Sequence, residues 1–574
     1  MRGAWVTDIV ESYEHDDRPA HEYLRENGDW VRVSRHELLC GVRSAARGWS
    51  EAGMRPGDRV VLEAAEPHLF VPAFLGALWA GVVPVPVAPP PPPGRRPAWN
   101  AYVEVLADIA RPRAVALRGG GGDAGTPAGD GWTDKWDPVD LDAVVTAPPD
   151  GSPDAPSDAL PDAPPPYRPG TEETAYLQFS SGSTGIPRGV PARVEAVLAN
   201  SLAIMRDGLD SDPATDRGLS WLPLHHDMGL VGFVLAPLIA GVPVSFVPTR
   251  SFVRDPGLWL RTMSERRATI SFAPNFAYAL TARRTSEAEA AALDLGHVRV
   301  LGCGAEPINP AVLDRFTTAF AASGLRPEAL MPCYGLAEAT LAVTLSPLGQ
   351  RHRVDSVDPA ALSAGRAAPS GDGDGEAGDG EALAVVSCGP PLPGHEVTVR
   401  DTEGTAVAER AVGEIWLRGP SNARTYMGSP DEARRAFGAD GWLRSGDLGY
   451  LADGELFVTG RVKDLLILNG RNVDPQRVEW LAETVPGVRA GGVVACTRPG
   501  EQSEELVVVA ECRTSATAGL APALREAVAG ALALPVHDVV AVRPGTVPRT
   551  TSGKPRRSET RRQYLEGALH VQQG

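Results

Sequence analysis

The stretch Thr174-Ala175-Tyr176-Leu177-Gln178-Phe179-Ser180-Ser181-Gly182-Ser183-Thr184-Gly185-Ile186-Pro187-Arg188-Gly189 carries the strongest fold signal in the chain. Its first six residues are apolar and β-favouring, which predicts a buried strand. The strand leads into hydroxyl residues and glycines, whose backbone N–H groups can converge on an anion. Arg188 adds a positive charge. We therefore expect a phosphate-binding loop, with a Gly/Ser surface turn as the competing interpretation. It is not a Walker loop, because no Gly-Lys-Ser/Thr follows.

Composition limits the kind of protein. The chain has 574 residues, 43% of them hydrophobic, and a net charge of −17. That length exceeds one ordinary core, so we expect two or more domains. The negative charge argues against nucleic acid or an anionic membrane surface as a partner. Six scattered cysteines without a C-x-x-C pair, and an N-terminus without the apolar run of a signal peptide, indicate a cytoplasmic protein.

Alternating helix and strand patterns predict an α/β fold. Residues 34–53 have helical periodicity, with Ser34 as a cap, and a turn then leads into a strand at 59–62. Two long uncharged stretches, 69–93 and 228–249, are each interrupted by glycine and proline. Such interruptions are typical of a helix that ends before a strand. We expect buried helices feeding a parallel, helix-covered sheet, and no membrane span.

Two segments divide the chain. Residues 119–170 are rich in Gly, Pro, Asp and Ser, which predicts a flexible surface loop. A G-x-G-x-x-G match inside it lacks a following helix, so we reject a dinucleotide site. From about residue 464 a new α/β pattern begins. This restart predicts a second, smaller domain, with the boundary near 460–464.

The adjacent residues His225, His226 and Asp227 are candidates for a metal site or a cleft. Neighbours on a strand point to opposite faces, so two adjacent histidines do not face one ion without a bend. Metal-binding helices space their histidines at i and i+4, which this stretch lacks. We therefore expect a strand end that presents one histidine into a cleft.

Eight strings together identify a family resemblance. They resemble, in order, motifs of the adenylate-forming superfamily, which includes acyl-CoA ligases, luciferases and adenylation domains, and in particular its fatty acyl-AMP ligase branch. The strings are SSGSTGIPRGV (180–190), WLPLHHDMGLVG (221–232), SFAPNFAYAL (271–280), VLGCGAEPI (300–308), CYGLAEATL (333–341), VSCGPPLPG (386–394), SGDLGYLADGELFVTGRVKDLLILNGRN (445–472) and VPRTTSGKPRR (547–557). Arg188 stands where the family usually has lysine.

The resemblance implies a three-part architecture. Residues 1–460 would form an N-terminal core of parallel helix-covered sheets with a small β-barrel-like part. Residues 461–465 would form a hinge, and residues 466–574 a small mobile α+β lid domain. The segment 342–385 resembles a family-specific insertion that hinders the domain movement which coenzyme A would need.

The resemblance also implies ATP and Mg²⁺ as cofactors and assigns site residues. Joining a carboxylate to the α-phosphate of ATP brings two anions together, so the site must neutralise and align them. Lys554, Arg188 and Glu338 would be catalytic, with Glu338 also the magnesium ligand and Lys463 the hinge residue. Core packing or surface charge explains many of these residue types equally well without the family. The nucleotide residues would be Ser181, Gly182, Ser183, Thr184, Gly185, Gly304, Ala305, Glu306, Tyr334, Gly335, Asp447 and Arg461. The acyl residues would be His226, Asp227, Phe233, Asn275, Phe276 and Tyr278.

The sequence thus predicts a fatty acyl-AMP ligase that activates a fatty acid and passes it to phosphopantetheine. The acceptor would be a separate acyl carrier protein, or a carrier domain of a polyketide or nonribosomal peptide synthase. A long- or medium-chain acyl-CoA ligase and an amino-acid adenylation domain are close alternatives. A non-catalytic nucleotide-binding relative is a further one, favoured by the unusual Arg188.

Overall fold

The structure of the chain is a computed structural model. It describes residues 4–91, 96–121, 136–145, 162–180, 187–370, 382–468, 471–500, 504–512, 519–532, 534–549 and 554–569.

A largely parallel sheet of eight strands forms the centre of the larger unit. Its six central strands run parallel to one another, while the strand at each edge pairs antiparallel with its neighbour. In spatial order the strands are β14 (Ala342–Leu345), β13 (Leu330–Gly335), β12 (Val300–Cys303), β11 (Ile270–Ala273), β9 (Gly218–Ser220), β10 (Val244–Phe246), β1 (Pro19–Leu24) and β2 (Trp30–Ser34). The core strands are short and buried, as expected where helices cover both faces of a parallel sheet.

A second sheet is parallel throughout. Its order is β4 (Val83–Val87), β3 (Arg59–Glu63), β5 (Ala114–Leu117) and β6 (Asp137–Asp140). Helix α2 (Arg35–Glu51) begins at Ser34, whose side chain accepts from the Glu37 N–H, and it packs on α3 (Pro67–Trp79). The helix-then-strand prediction for 69–93 is confirmed by α3 and β4.

One sequence prediction is wrong in part. Residues 119–170 were expected to form a surface loop, yet β6 joins the second sheet and α5 (Leu141–Val144) packs on α2. Leu141 and Val144 are both buried. Two apolar side chains three residues apart suffice to attach this short turn to the core, even within a segment poor in apolar residues.

The remaining helices of the larger unit cover the two sheets. They are α1 (Val6–Glu11), α4 (Arg96–Ala110), α6 (Val194–Leu202), α7 (Asp227–Leu230), α8 (Ala236–Ala240), α9 (Thr249–Arg254), α10 (Gly257–Arg266), α11 (Asn275–Arg284), α12 (Glu287–Ala291), α13 (Pro310–Ala319) and α15 (Pro430–Ala436). Two π-helical segments, Ala203–Gly208 and Val231–Leu235, continue α6 and α7. Short 3-10 turns occur at Arg118–Gly121, Ala321–Ser323, Pro327–Ala329 and Ala337–Ala339.

Two antiparallel elements complete the larger unit. The hairpin of β7 (Thr174–Ser180) and β8 (Arg188–Arg193) lies beside β4, with Ser180 paired to Arg188. A four-stranded sheet contains β17 (Glu396–Arg400), β18 (Gly413–Arg418), β19 (Leu443–Ala452) and β20 (Glu455–Arg461). Against it packs the segment resembling an insertion, which contains β15 (Val354–Val357), α14 (Pro359–Ser363) and β16 (Leu383–Val386).

The C-terminal part has a hydrophobic core of its own. Its elements are β21 (Leu466–Leu468), β22 (Arg471–Val473), α16 (Pro475–Glu483), β23 (Val488–Pro499), β24 (Glu504–Cys512), α17 (Leu520–Leu532), β25 (Val536–Val542) and α18 (Arg557–Leu565). Strand β24 lies between antiparallel β23 and parallel β25. The expected α/β class is confirmed. The exact limits of the hinge, 461–465, stay a prediction. Among the described helices, none combines the length and apolarity needed to cross a membrane.

Candidate active site

The site lies at the carboxyl edge of the central sheet. Strands β9, β11, β12 and β13 all end at this edge because they are parallel. The chain leaves β9 toward β10 on one side, and leaves β11 toward β12 on the other. Adjacent strands whose connections diverge open a crevice between them, where α/β sheets bind ligands. The predicted site residues of the central sheet follow these strand ends.

Asp447 is the centre of the first polar cluster. It is 5% exposed and lies opposite Arg461 in the β19–β20 ladder. Its Oδ2 accepts from the Tyr334 hydroxyl at 2.7 Å, and its Oδ1 lies 2.8 Å from Arg461 Nε. The Asp447 charge raises the pKa of Arg461. Each carboxylate oxygen has a second lone pair, so Asp447 can still accept hydrogen bonds from a ligand.

Glu338 is the centre of a second cluster. It lies in the 3-10 turn after β13 and is 8% exposed. Its Oε1 accepts from Ser180 Oγ at 3.2 Å and from the Tyr426 hydroxyl at 2.9 Å. Thr340 closes the turn at φ 70°, where a β-branched residue is strained, and its hydroxyl donates to the Ser421 carbonyl. Strained backbone therefore holds a buried carboxylate beside the end of β7.

Arg188 lies on the other side of Tyr426. Its Nε donates to Glu432, and its guanidinium lies over the Tyr426 ring, 5.1 Å from the centroid. Burial opposes the charged form, but the Glu432 carboxylate and other neighbouring anions raise the pKa of Arg188. Arg188 thus supports the ring whose hydroxyl binds Glu338. Sequence reasoning found Arg188 and Glu338, but not Tyr426 or Glu432.

Lys554 comes from the C-terminal part of the chain and reaches these clusters. Burial and the Arg461 charge lower its pKa, whereas Glu306, Asp227 and Asp447 raise it. Lys554 therefore interacts electrostatically with charged groups that follow the strands at the carboxyl edge of the central sheet. We call Lys554, Asp447, Arg461, Tyr334 and Glu338 the polar mouth.

The backbone around Lys554 is fixed from both sides. Arg549 and Pro555 form an antiparallel bridge, and the Arg556 N–H donates to the Pro548 carbonyl at 2.8 Å. The buried carboxylate of Glu511 accepts from the N–H groups of residues 545 and 547. Residues 545–549 and 554–556 are therefore attached to each other and to the core of the C-terminal part.

Residues 304–306 follow β12, and residues 334–335 end β13. Ala305 adopts φ 64°, a left-handed conformation that is uncommon outside glycine. Glu306 Oε1 accepts from the Phe276 N–H at 2.6 Å. Burial raises the pKa of Glu306, against the opposing effect of that N–H and of Lys554. Gly335 is required, because an added Cβ would collide with the Leu341 carbonyl.

The two histidines lie in the turn before α7, not at a strand end as predicted, because β9 already ends at Ser220. His226 Nδ1 lies 2.7 Å from Asp227 Oδ1, which also accepts from the Met228 N–H. Burial opposes ionisation of Asp227, but His226 and Lys554 lower its pKa overall. The pKa of His225 is lowered to about 3 by burial and by His226.

Beside the polar mouth lies a largely apolar space, which we call the front cavity. Its opening is lined by Asp227, Ala305, Tyr334 and Gly335, and deeper residues are apolar. The deeper lining includes Ile204, Met205, Met228, Phe233, Phe272, Leu341 and Leu345. Of these, sequence reasoning selected only Phe233, because apolar side chains from distant segments leave no local pattern.

Of the other predicted acyl residues, Asp227 lines the front cavity, His226 lies beside it, and three lie elsewhere. Tyr278 is fully buried in an aromatic cluster with Trp259 and Phe316, and its hydroxyl donates to the Gly302 carbonyl at 2.7 Å. Asn275 is buried and accepts from the Asn309 N–H. Phe276 is 41% exposed. None of these three lines the front cavity.

Two further predictions concern the ends of the site. Lys463 lies exposed in the turn after β20. The loop residues Ser181, Gly182, Ser183, Thr184 and Gly185 lie outside the described residues. Their flanks, Ser180 and Arg188, are register partners in the β7–β8 hairpin.

Comparison with known proteins agrees with this geometry. Residues 10–427 match the AMP-binding enzyme family. A Caulobacter vibrioides protein named as an acyl-CoA synthetase is 40% identical over 91% of this chain and 88% of its own length. Long-chain-fatty-acid–AMP ligase FadD23 of Mycobacterium tuberculosis is 35% identical over 96% of this chain and 92% of its own length. A solved structure from a study of fatty acyl-adenylate ligases of E. coli and L. pneumophila superposes with a TM-score of 0.86, at 34% identity and 98% coverage of both chains. The chain belongs to the AMP-binding enzyme family.

Proposed function

We propose that this protein is a fatty acyl-AMP ligase. One observation carries the proposal: the lining of an apolar cavity includes Asp227 and Tyr334, which belong to the polar and charged groups at the carboxyl edge of the central sheet. Ligand sites with apolar walls and a few polar groups at one end fix a long apolar ligand and orient its reactive end. A fatty acid would place its chain in the front cavity and its carboxylate at the polar mouth.

The residues of the mouth suit the two halves of the reaction. The carboxylate oxygen of the acid attacks the α-phosphorus of ATP, the bond to the bridging oxygen breaks, and pyrophosphate leaves. Asp447 would accept hydrogen bonds from the ribose hydroxyls. Lys554 would lie between the two anions and offset the charge that develops on the α-phosphate. The loop at 181–185 would hold the outer phosphates.

Glu338 fits a magnesium ligand. Mg²⁺ in nucleotide sites takes one or two carboxylates together with phosphate oxygens. Glu338 is a single buried carboxylate beside the start of the phosphate loop. When bound, the ion would neutralise phosphate charge, while Ser180 and Tyr426 keep the carboxylate oriented.

The segment resembling an insertion supports a carrier-bound thiol as acceptor in place of coenzyme A. The Tyr450 hydroxyl donates to Asp355 at 2.8 Å, and Val357 and Phe457 are buried together. This attaches the segment to the β19–β20 hairpin, which runs into the expected hinge. Helix α14 also approaches β22 of the C-terminal part. A segment that contacts both parts would resist their reorientation.

The test is a two-stage assay with fatty acids from octanoic to octadecanoic acid. With ATP and Mg²⁺ alone, we expect pyrophosphate release and an acyl-adenylate that mass spectrometry identifies. With a phosphopantetheinylated carrier protein added, we expect acyl transfer to its thiol, and little acyl-CoA with coenzyme A. Absence of adenylate for every acid would overturn the proposal.

The acyl-CoA ligase is the second candidate, favoured by the name of the Caulobacter relative. It shares the first half-reaction and differs in the acceptor. Efficient acyl-CoA formation in the same assay would select it over the carrier-dependent ligase.

A further inference from the structure

A second cavity lies behind the front cavity. It lies between β1, α2, α3, α8 and β10. We call it the rear cavity. Phe233, Pro237 and Val242 line both cavities, so a single layer of side chains separates them.

The dividing layer is built on an irregular helix. Phe233 lies in the π-helical segment Val231–Leu235, and the facing wall of the front cavity takes Ile204 and Met205 from the other π-helical segment. π-helical turns are rare and occur frequently at functional sites. Both π-helices of the described chain thus border the front cavity.

A glycine lies beside Phe233. Gly218 of β9 lines the front cavity, and an added Cβ there would lie 3.1 Å from Val244 Cγ2 and 3.6 Å from Phe233 Cδ1. The Phe233 ring meets Phe272 edge-on at 6.3 Å, a contact that rotation of one ring can break without loss of a hydrogen bond. The partition is therefore held by packing contacts alone.

The rear cavity contains one unsatisfied polar group. His21 is 6% exposed, and its Nε2 is buried with no hydrogen-bond partner among the described residues. Burial lowers the pKa of His21 to about 4, so the ring is neutral at pH 7. Arg35, the cation of this cavity, is already bound to Asp16 at 3.0 Å and to the Gly241 carbonyl at 2.8 Å. These groups suit an uncharged hydroxyl better than a carboxylate.

We propose that the rear cavity receives the far end of a long acyl chain that passes Phe233, and that His21 hydrogen-bonds a hydroxyl group at that end. The proposal rests on the fatty acyl-AMP ligase function. It makes Phe233 a residue that determines chain length. It also names long-chain ω-hydroxy acids as the preferred substrate class.

A kinetic experiment tests both parts. Adenylation is measured with decanoic, hexadecanoic and ω-hydroxyhexadecanoic acids. For Phe233→Trp, we expect kcat/KM for hexadecanoic acid to fall about tenfold more than for decanoic acid. Phe233→Ala should favour the longer acid instead. Met205→Ala, which enlarges only the front cavity, is the matched control and should change the ratio of kcat/KM values for the two acids less.

His21→Leu should reduce the preference for the ω-hydroxy acid over hexadecanoic acid about tenfold. Unchanged ratios in the Phe233 and His21 variants would overturn the proposal.

A labelling experiment on the unmodified protein needs no turnover. Decanoic and hexadecanoic acids with a diazirine at the terminal carbon are bound, irradiated and mapped by peptide mass spectrometry. The longer probe should label the wall of the rear cavity, namely residues 13–38 or 71–75, and the shorter probe residues 204–209 or 341–345. If the longer probe labels only the front cavity, or neither, the rear cavity is not part of the acyl site. Rear-cavity labelling without adenylation would instead contradict the ligase function alone.

Discussion

The polar mouth and the front cavity keep their shapes by different means. In the mouth, each carboxylate is held by hydrogen bonds from residues far away in the chain, such as Tyr334 to Asp447 and Tyr426 to Glu338. In the cavity, Phe233 and Phe272 meet only by packing. Directional bonds fix charge geometry, whereas packing tolerates exchange of shape. The mouth should therefore govern chemistry for every acid, and the cavity should govern which acid is used.

The largest expected effect comes from Lys554. In Lys554→Ala, we expect adenylation to fall about a thousandfold, equally for short and long acids, because the charge between the two anions is lost. ATP binding, measured by calorimetry, should stay within about twofold of the unmodified protein. Lys554→Arg keeps the charge and should recover part of the rate. An unchanged rate in the alanine variant would remove Lys554 from the mechanism.

Glu338 comes next. Glu338→Gln keeps the size of the side chain but removes its charge, and we expect kcat to fall about a hundredfold with a higher Mg²⁺ requirement. Tyr426→Phe is the control, since it removes one hydrogen bond to the same oxygen and should cost only a few-fold. A Mg²⁺ titration of the initial rate distinguishes the two. Equal effects of both variants would argue that Glu338 acts structurally.

Asp447 should affect nucleotide binding more than the chemical step. In Asp447→Ala, we expect the KM for ATP to rise at least tenfold, because the ribose loses its acceptor and Arg461 loses its partner. Tyr334→Phe leaves the carboxylate in place and should raise the KM for ATP only a few-fold. The comparison is made by varying ATP at saturating fatty acid. A kcat effect without a KM effect would contradict the ribose assignment.

The pH dependence follows from the lowered pKa of Lys554. The protonated lysine is the active form, so kcat/KM should decline as pH rises through that lowered pKa, below the ordinary range for lysine. Lys554→Arg should lose this decline because arginine stays charged. A pH–rate profile of the unmodified protein and of Lys554→Arg checks whether the lowered pKa belongs to Lys554. An identical alkaline limb in both would assign the titration to another group.

The smallest effect is expected from Arg188. Its Nε donates to Glu432 and its guanidinium stacks on Tyr426, so Arg188→Lys keeps the charge and loses the planar contacts. We expect adenylation to fall only a few-fold, with no change between acids. Glu432→Gln should have a similar effect if the pair acts together. A loss of rate confined to long acids would contradict the idea that the polar mouth acts on every acid alike and that only the front cavity selects among acids.

Local sequence pattern gave much of the fold. The helix cap at Ser34 and the strand β7 are predicted because propensity, periodicity and capping residues agree there. The strand and helix within 119–170 were missed because composition averages over a long segment. Two buried side chains, Leu141 and Val144, are enough to decide its structure.

The sequence marks candidate site residues only where motifs occur. Asp447, Glu338 and Lys554 lie in recognisable strings, and the structure brings them to one edge of the sheet. Tyr426 was not predicted because it lies 88 residues from its hydrogen-bond partner Glu338 in the sequence. Such pairs depend on tertiary folding and leave no local signal. Most residues that line the two cavities were not predicted for the same reason.

The most direct test is a crystal structure with a dodecanoyl sulfamoyl-adenosine, a non-hydrolysable mimic of the acyl-adenylate. The account expects the ribose on Asp447, the sulfamate within hydrogen-bond reach of Lys554, and the alkyl chain in the front cavity. A purine bound away from Asp447, or an alkyl chain outside the cavity, would contradict it.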